Sequence, residues 1–291
     1  MSNTPVNQKV RIGLVGCGRI AQKHLGAIKV NEADCELVAI CDHDQAAMDA
    51  MEVDDSVSQF DSLEKMLDAG QLDLVSLCTP SGVHSRQTIQ CAQAGLPVMT
   101  EKPMATRWQD GLDMVRACDD AGVDLFVVKQ NRRNATLQLL KRAIEGGRFG
   151  RIHLVTLNVF WTRPQEYSDT APWRGTWEYD GGALMNQASH YVDLLDWMIG
   201  PVERVSAFTE TRARDIEVED TAVATVRFAN GALGTIEATT SAWPGSLKRL
   251  EIYGSTGSAI LEDANILKWE FEDSDAADKQ ILARFAARNT K

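Results

Sequence analysis

Short apolar runs alternate with amphipathic stretches along the first part of the chain, and this pattern predicts strands separated by helices. The strands are predicted at residues 9–15, 36–41, 72–78, 97–100 and 124–128. Repeated strand–helix units are typical of a parallel sheet with helices on both faces. We therefore predict an N-terminal α/β domain over residues 1–128, built as a doubly wound parallel sheet.

Longer β-type segments replace the short buried runs from residue 129 onward. Helices are predicted at 136–145 and 183–199, with a long strand at 152–161 between them. Later β-type segments, joined in one place by the hairpin signal Asn230-Gly231, lie at residues 202–211, 219–229, 232–241, 248–254 and 258–262. They predict an α+β domain over residues 129–291 with a large, open, antiparallel-rich sheet arranged as a meander. The polar tail, 272–291, is predicted to be weakly helical, and either to fray or to mark a shortened chain.

Composition narrows the range of partners. The 291-residue chain has a formal net charge of −11, which argues against nucleic acid because phosphate binding needs a basic face. No apolar run reaches the ~18 residues of a membrane span. The polar start, Met1 to Lys9, lacks the apolar stretch of a secretory signal, so we expect a cytoplasmic protein. The six cysteines form no C-x-x-C pair, so we expect reduced thiols, no disulfide and no structural metal.

A glycine-rich turn follows the first predicted strand and opens a helix. Its residues are Gly16-Cys17-Gly18-Arg19-Ile20-Ala21, a G-x-G-x-x-A pattern in the context that dinucleotide binding requires. Gly16 permits the tight turn, and Gly18 lets the backbone approach a pyrophosphate at the helix N-terminus. Asp42 ends the second strand, where an acid accepts hydrogen bonds from ribose hydroxyls and favours NAD over NADP. The alternatives are an ordinary strand–turn–helix and a solvated acid.

Two further strand ends carry polar side chains. Thr79-Pro80 follows the third predicted strand and could line the nicotinamide ribose, whereas His84 serves equally well as a cofactor contact, a helix cap or a surface residue. Glu101-Lys102-Pro103 follows the fourth predicted strand. An ammonium held there could orient a substrate hydroxyl, although a single lysine is more often solvated.

The helix predicted at 183–199 carries Asn186 and His190, which are spaced i, i+4 and should share one helical face. A histidine suits general base work on a hydroxyl. A lone helical histidine is more often structural, so this signal depends on its neighbours.

Together these motifs resemble the glucose–fructose oxidoreductase / inositol dehydrogenase (Gfo/Idh/MocA) family, over about residues 9 to 270. The resemblance implies a Rossmann domain, NAD as cofactor, and Lys102 and His190 flanking the reacting hydroxyl. Asn186 stands where the family often has an aspartate, and we expect it to position substrate without relaying a proton. The implied cofactor contacts are Gly16, Gly18, Arg19, Ile20, Asp42, Thr79, Pro80, His84, Glu101, Trp173 and Arg174.

A narrower resemblance covers Asn158 to His190, which is similar to the branch that oxidises the C3 hydroxyl of UDP-N-acetylglucosaminuronate for bacterial surface polysaccharides. This stretch contains Arg163 and Arg174 together with three tryptophans. Guanidinium groups suit a carboxylate or diphosphate, so Arg163 joins Lys102, Asn186 and His190 as an expected substrate contact. The same side chains could instead pack a domain interface. The segment that follows the sheet in this family is largely missing, so we expect a shortened member.

The motifs leave other functions open. An inositol or free-sugar dehydrogenase would not need Arg163 and Arg174 at its ligand. A non-catalytic sensor could bind dinucleotide without Lys102 and His190, and the presence of both favours an enzyme. An open sheet with exposed apolar residues also suggests a homodimer or homotetramer.

Overall fold

The computed structural model describes residues 8–246 and 248–286. The chain divides into two compact units, Met1–Val128 and Lys129–Lys291. Most of the polar start and the last five residues of the tail, about which expectations were stated above, lie outside the described residues. Within the described ranges, no helix has the length and apolar character needed to cross a membrane.

The first unit is a parallel sheet with helices between its strands. Its strands are β1 (Val10–Val15), β2 (Cys35–Cys41), β3 (Ser58–Phe60), β4 (Leu74–Leu77), β5 (Val98–Thr100) and β6 (Leu125–Val127). Its helices are α1 (Ala21–Val30), α2 (Gln45–Asp49), α3 (Leu63–Asp68), α4 (His84–Gln93) and α5 (Trp108–Ala121). The strand order is β3-β2-β1-β4-β5-β6, with every pair parallel. This is the doubly wound order of dinucleotide-binding folds and confirms the predicted α/β class.

Both faces of this sheet are buried, which explains the apolar runs. Leu14 belongs to a cluster on one face with Ile40, and its neighbour Val15 belongs to a cluster on the other with Leu77. Successive side chains of a strand point to opposite faces, so two covered faces require apolar residues at nearly every position. The short strand β3 was not predicted, because this edge strand has two exposed polar residues and no apolar run.

The second unit is a seven-stranded sheet covered by helices on one face. Its strands are β7 (Ile152–Phe160), β8 (Val202–Glu210), β9 (Thr221–Phe228), β10 (Leu233–Thr239), β11 (Arg249–Gly254), β12 (Gly257–Glu262) and β13 (Asn265–Phe271). Its helices are α6 (Ala135–Glu145), α7 (Gln165–Asp169), α8 (Ser189–Ile199) and α9 (Ala276–Phe285). The order is β13-β12-β11-β7-β10-β9-β8.

The predicted α+β class is confirmed, but the predicted meander is corrected. Strand β7 lies in the middle of the sheet and pairs parallel with β10, while the other strand pairs are antiparallel. Strand β13 was not predicted. The tail is helical over α9, as predicted, and Arg148 and the indole N–H of Trp269 both bind the Asp278 carboxylate on that helix.

Candidate active site

The glycine turn between β1 and α1 has the geometry that a bound dinucleotide requires. Gly16 has φ +89, and a Cβ there would lie 2.9 Å from the backbone of Cys78, so the turn needs glycine. A Cβ at Gly18 would have no heavy atom within 4 Å, which leaves this backbone open to approach. Arg19 and Ile20 are exposed beside it, and no side chain within the described part of the chain caps the start of α1. The residues present therefore fit a pyrophosphate at the helix N-terminus.

Asp42 lies at the end of β2, against the same turn. Its Oδ2 accepts the backbone N–H of Cys17 (2.8 Å), and its Oδ1 accepts that of Asp44 (3.0 Å). The exposed ring of His43 also lies 3.0 Å from Oδ1 through its Nδ1. A carboxylate has about four acceptor positions. The two backbone N–H groups use two of them and fix Asp42 against the turn, so the others can accept hydroxyl groups, one of them where the exposed ring of His43 now lies.

Thr79 and Pro80 follow β4 and are half-buried. The Thr79 hydroxyl donates to the amide oxygen of Gln87 at 2.5 Å. His84, at the start of α4, is completely buried, and its Nδ1 and Nε2 lie 3.0 Å and 2.9 Å from the carbonyl oxygens of Pro103 and Thr79. Burial lowers the pKa of His84, against the opposing effect of these carbonyls. His84 therefore connects two strand-end loops, and its expected contact with the cofactor stays a prediction.

Lys102 follows β5 on a half-buried loop, and its peptide bond to Pro103 is cis. Its backbone N–H donates to Oε2 of Glu101 at 3.0 Å. The Glu101 side chain is buried, and its Oε1 accepts from Nε2 of His24 on α1 at 3.0 Å. Glu101, expected above as a cofactor contact, therefore holds the loop that carries Lys102.

His190 lies in the first turn of α8 in the second unit and is 9% exposed. Its Nε2 is 3.4 Å from the side-chain amide nitrogen of Gln130. Arg132, two residues after that glutamine, makes a bidentate pair with Asp193 of α8 at 2.8 and 2.7 Å. Lys129 also approaches Asp193 at 3.5 Å. These ion pairs fix the segment around Gln130 against the helix that carries His190.

The helix predicted at 183–199 is interrupted, which corrects the simple i, i+4 geometry. Residues Ala183–Gln187 form a π-helical turn, in which the N–H of Ala188 donates to the carbonyl of Ala183 five residues earlier. Asn186 therefore lies on a different element from His190. Its side-chain amide donates to Asp180, a carboxylate 4% exposed. Short π-helical turns are frequent at functional sites.

Aromatic rings surround both predicted arginines. The Arg163 guanidinium lies 5.0 Å from the Trp161 ring centroid and 5.4 Å from that of Tyr167. Arg174 lies 4.5 Å from the Tyr167 ring and donates to its hydroxyl at 2.8 Å. It lies at the same distance from Trp173, the residue expected with it as a cofactor contact. Tyr167 thus holds two guanidinium groups at one surface of the second unit.

Arg163 also lines a small pocket within the second unit that is partly open to solvent. Arg214 lines it too, and its Nε donates to the Arg163 carbonyl at 2.5 Å. Asp180 and Glu219 also line this pocket. Glu219 approaches so closely that a Cβ at Gly182 would overlap its carboxylate. The pocket lining therefore combines the side chains of two arginines with those of two acids that hydrogen bonds hold in place.

The comparisons with known proteins place both units in one family. Residues 10–129 match the oxidoreductase family with an NAD-binding Rossmann fold, and residues 137–260 match the GFO/IDH/MocA C-terminal domain. The chain belongs to the GFO/IDH/MocA family. These matches confirm the family resemblance that the motifs indicated. They also confirm that the chain is an NAD-dependent oxidoreductase.

Solved members of this family include two similar structures. WlbA dehydrogenase from Bordetella pertussis, in complex with NADH and UDP-GlcNAcA, is 56% identical with a TM-score of 0.91, over 94% of this chain and 84% of that one. WlbA from Chromobacterium violaceum, with the same two ligands, is 54% identical with a TM-score of 0.91, over 97% of this chain and 84% of that one.

A more distant relative was found by sequence. Myo-inositol 2-dehydrogenase of Thermotoga maritima is 29% identical over 87% of this chain and 75% of its own length.

Several residues of this family member were missed in the sequence. Asp180 directly precedes Gly181-Gly182, and an acid at that position was the signal available. His24 lies one turn beyond Ala21 in α1, facing β4 and β5 through its contacts with Ser76 and Glu101. No local pattern in the sequence indicates Arg214, because the residue that it contacts, Arg163, lies 51 positions earlier in the chain.

Proposed function

We propose that this chain is an NAD-dependent dehydrogenase that oxidises the C3 hydroxyl of UDP-N-acetylglucosaminuronate, in the cytoplasm, for bacterial polysaccharide precursors. The similarity to the two WlbA dehydrogenases, at 54–56% identity over nearly the whole chain, is the observation that supports this proposal most. Much lower identity to an inositol dehydrogenase makes a free polyol the weaker candidate.

The first unit supplies the residues for NAD. The open backbone at Gly18 and the uncapped start of α1 suit the pyrophosphate, and Asp42 suits the two adenosine ribose hydroxyls. Thr79 and Pro80, at the end of β4, suit the nicotinamide half. When bound, NAD supplies the acceptor for a hydride.

The second unit supplies groups for an acidic sugar nucleotide. The Nε atoms of Arg163 and Arg174 are both buried, and neither has a hydrogen-bond partner among the described residues. Each guanidinium group therefore has an N–H group that is not used within the described part of the protein. Planar guanidinium groups bind carboxylate or diphosphate oxygens in pairs, and the neighbouring rings suit sugar or base stacking. We assign Arg163 to the substrate, while Arg174 and Trp173 remain candidates for either ligand.

Two side chains are assigned to the chemistry. The Lys102 ammonium orients the reacting hydroxyl and stabilises negative charge on its oxygen, and the His190 imidazole accepts the proton. Asn186 has an amide, which neither gives nor takes a proton at neutral pH, so it positions substrate from its contact with Asp180.

The test is a substrate panel followed by NADH absorbance. The purified chain is incubated with NAD and either UDP-N-acetylglucosaminuronate, UDP-N-acetylglucosamine or myo-inositol. We expect turnover of the first and little of the other two. Deuterium at C3 of the sugar should slow single-turnover reduction of NAD and appear in the product NADH. Turnover of myo-inositol alone, or label retained in the sugar, would contradict the proposal.

We also propose that the outward face of the second sheet pairs with another copy of the chain. Cross-strand neighbours on that face are apolar and exposed, namely Phe208 (82%), Val223 (49%), Leu233 (51%) and Leu154 (42%). Apolar neighbours of this kind commonly mark an interface. Light scattering after size-exclusion chromatography should give a dimer or tetramer, and Phe208→Asp should lower its mass. A wild-type monomer would contradict this.

A further inference from the structure

The Glu101 carboxylate is buried, and a buried charge is stable only when hydrogen bonds or an opposite charge replace its lost water. It is 7% exposed, and both oxygens are occupied: Oε1 by His24 and Oε2 by the N–H of Lys102, each at 3.0 Å. Burial would raise the pKa of Glu101, but the hydrogen bonds from His24 and Lys102 outweigh it and lower the pKa. The group is therefore a carboxylate that accepts hydrogen bonds from both sides.

His24 is oriented by contacts at both ring nitrogens. Its Nδ1 lies 2.9 Å from the Ser76 hydroxyl, while Nε2 faces Glu101. A carboxylate only accepts, so Nε2 carries a proton; in the neutral ring, Nδ1 then accepts from Ser76. The side chain of His24 is 11% exposed, and a single tautomer satisfies both contacts. Ser76 lies on β4 and His24 on α1, so two rigid elements hold the imidazole.

On its other side, the Lys102 loop is held by a second buried histidine. The Pro103 carbonyl is bound by Nδ1 of His84, which is completely buried. The N–H of Glu101 also donates to the carbonyl of Leu77 at 3.0 Å. Lys102 thus lies between two fixed points, one of which depends on a side-chain carboxylate.

We propose that His24 and Glu101 act as a pair of positioning residues for Lys102, with Ser76 orienting His24. The carboxylate anchors the Lys102 backbone, and His24 keeps that carboxylate in place. This inference rests on the proposed function, in which the Lys102 ammonium acts on the substrate hydroxyl. Neither His24 nor Ser76 was among the residues expected from the sequence. A small displacement of a reacting group is costly, because rate falls about 100-fold for a misplacement near 1 Å.

Four variants test the pair. His24→Leu removes both hydrogen bonds, and His24→Gln retains a donor at the position of Nε2. Leu25→Ala perturbs α1 at an adjacent buried residue, 5% exposed, without touching Glu101, and controls for helix packing. Lys102→Met tests the reacting ammonium itself. Two readouts are needed: single-turnover hydride transfer with UDP-N-acetylglucosaminuronate, and amide hydrogen exchange at Lys102 in protein labelled with ¹⁵N-lysine, without ligands.

We expect His24→Leu to lower the rate about 10- to 100-fold, with KM and NAD affinity changed less than about threefold. The Lys102 amide should exchange at least about tenfold faster, and His24→Gln should restore most of both losses. Equal effects of His24→Leu and Leu25→Ala on both readouts would overturn the proposal. A wild-type rate in His24→Leu, alongside a loss in Lys102→Met, would overturn this inference alone. A wild-type rate in Lys102→Met would overturn it together with the assigned role of Lys102.

Discussion

Replacement of Asp42 tests how the chain selects its cofactor. The carboxylate is 12% exposed and is held by the N–H groups of Cys17 and Asp44, so it is oriented before any ligand binds. Asp42→Ala removes the ribose acceptors and leaves the Cys17 N–H without this partner. Asp42→Asn retains one acceptor oxygen and removes the charge. The two variants therefore separate hydrogen bonding from charge.

The expected loss follows from the hydrogen bonds removed. Bonds to a charged acceptor contribute about 1.5–3 kcal/mol, and 1.4 kcal/mol corresponds to a tenfold change in affinity. Asp42→Ala should therefore weaken NADH binding by about 10- to 150-fold, and Asp42→Asn by less. NADPH carries a 2′-phosphate that a carboxylate repels, so the preference for NADH over NADPH should narrow in both variants.

Fluorescence titration with NADH and NADPH measures these affinities. Asp44→Ala is the matched control, since it removes one negative charge from the next turn, where Asp44 caps α2 through the N–H of Ala46. We expect the control to keep the wild-type preference. Tighter binding of NADPH than NADH by the wild type would refute the reasoning. So would an unchanged NADH affinity in Asp42→Ala.

Three further predictions concern catalysis, substrate and stability. Lys102→Met and His190→Ala should each lower the rate of single-turnover hydride transfer by about 10²–10⁴-fold. The double variant should lose less than the product of the two single losses, because both residues act on one hydroxyl. Wild-type rates in both single variants would place the chemistry elsewhere. Arg163→Ala should raise KM for UDP-N-acetylglucosaminuronate by about 10- to 150-fold, and an unchanged KM would contradict its assignment to the substrate. Binding of UDP-N-acetylglucosamine, which keeps the diphosphate and lacks the carboxylate, shows which group Arg163 contacts: its affinity falls in the variant only if the contact is to the diphosphate. The third concerns Asp278, whose pKa the Arg148 guanidinium holds well below its usual value of 3.8. The folded state therefore gains stability above that value and loses it as pH falls toward the folded pKa. In urea unfolding at neutral pH, the free energy of unfolding of Asp278→Asn should be about 3 kcal/mol lower than that of the wild type. The difference between the two proteins should shrink as the pH is lowered, and a difference that is independent of pH would contradict this reasoning.

The local features of the first unit were readable from the chain. Strands buried on both faces must be apolar at nearly every position, so β1, β2 and β4 were visible as runs. The turn at Gly16 was visible as well, because positive φ and close packing on Cys78 permit only glycine. Strand β3 escaped because hydrogen bonds to β2, rather than apolar residues, make it a strand.

In the second unit, periodicity predicted strands but not their partners. Alternation identifies the buried face of β7 and β10, whereas their parallel pairing depends on how β7 enters the sheet. The π-helical turn at Ala183–Gln187 was equally hidden, since its sequence has an ordinary helical pattern. It forms where the carbonyl and carboxylate of Glu219 accept the N–H groups of Ala183 and Leu184.

The sequence by itself determined the cofactor turn and the two fold classes, because each depends on residues close together in the chain. Lys102 and His190 became candidate reacting residues through the family resemblance, since neither residue alone favoured a catalytic role. Only the tertiary structure decided what holds those residues. His24 and Glu101 are 77 positions apart, and Arg148 and Asp278 are 130 apart. Such contacts leave no trace in local periodicity, because the free energy of a buried ion pair depends on geometry and desolvation that exist only in the folded chain.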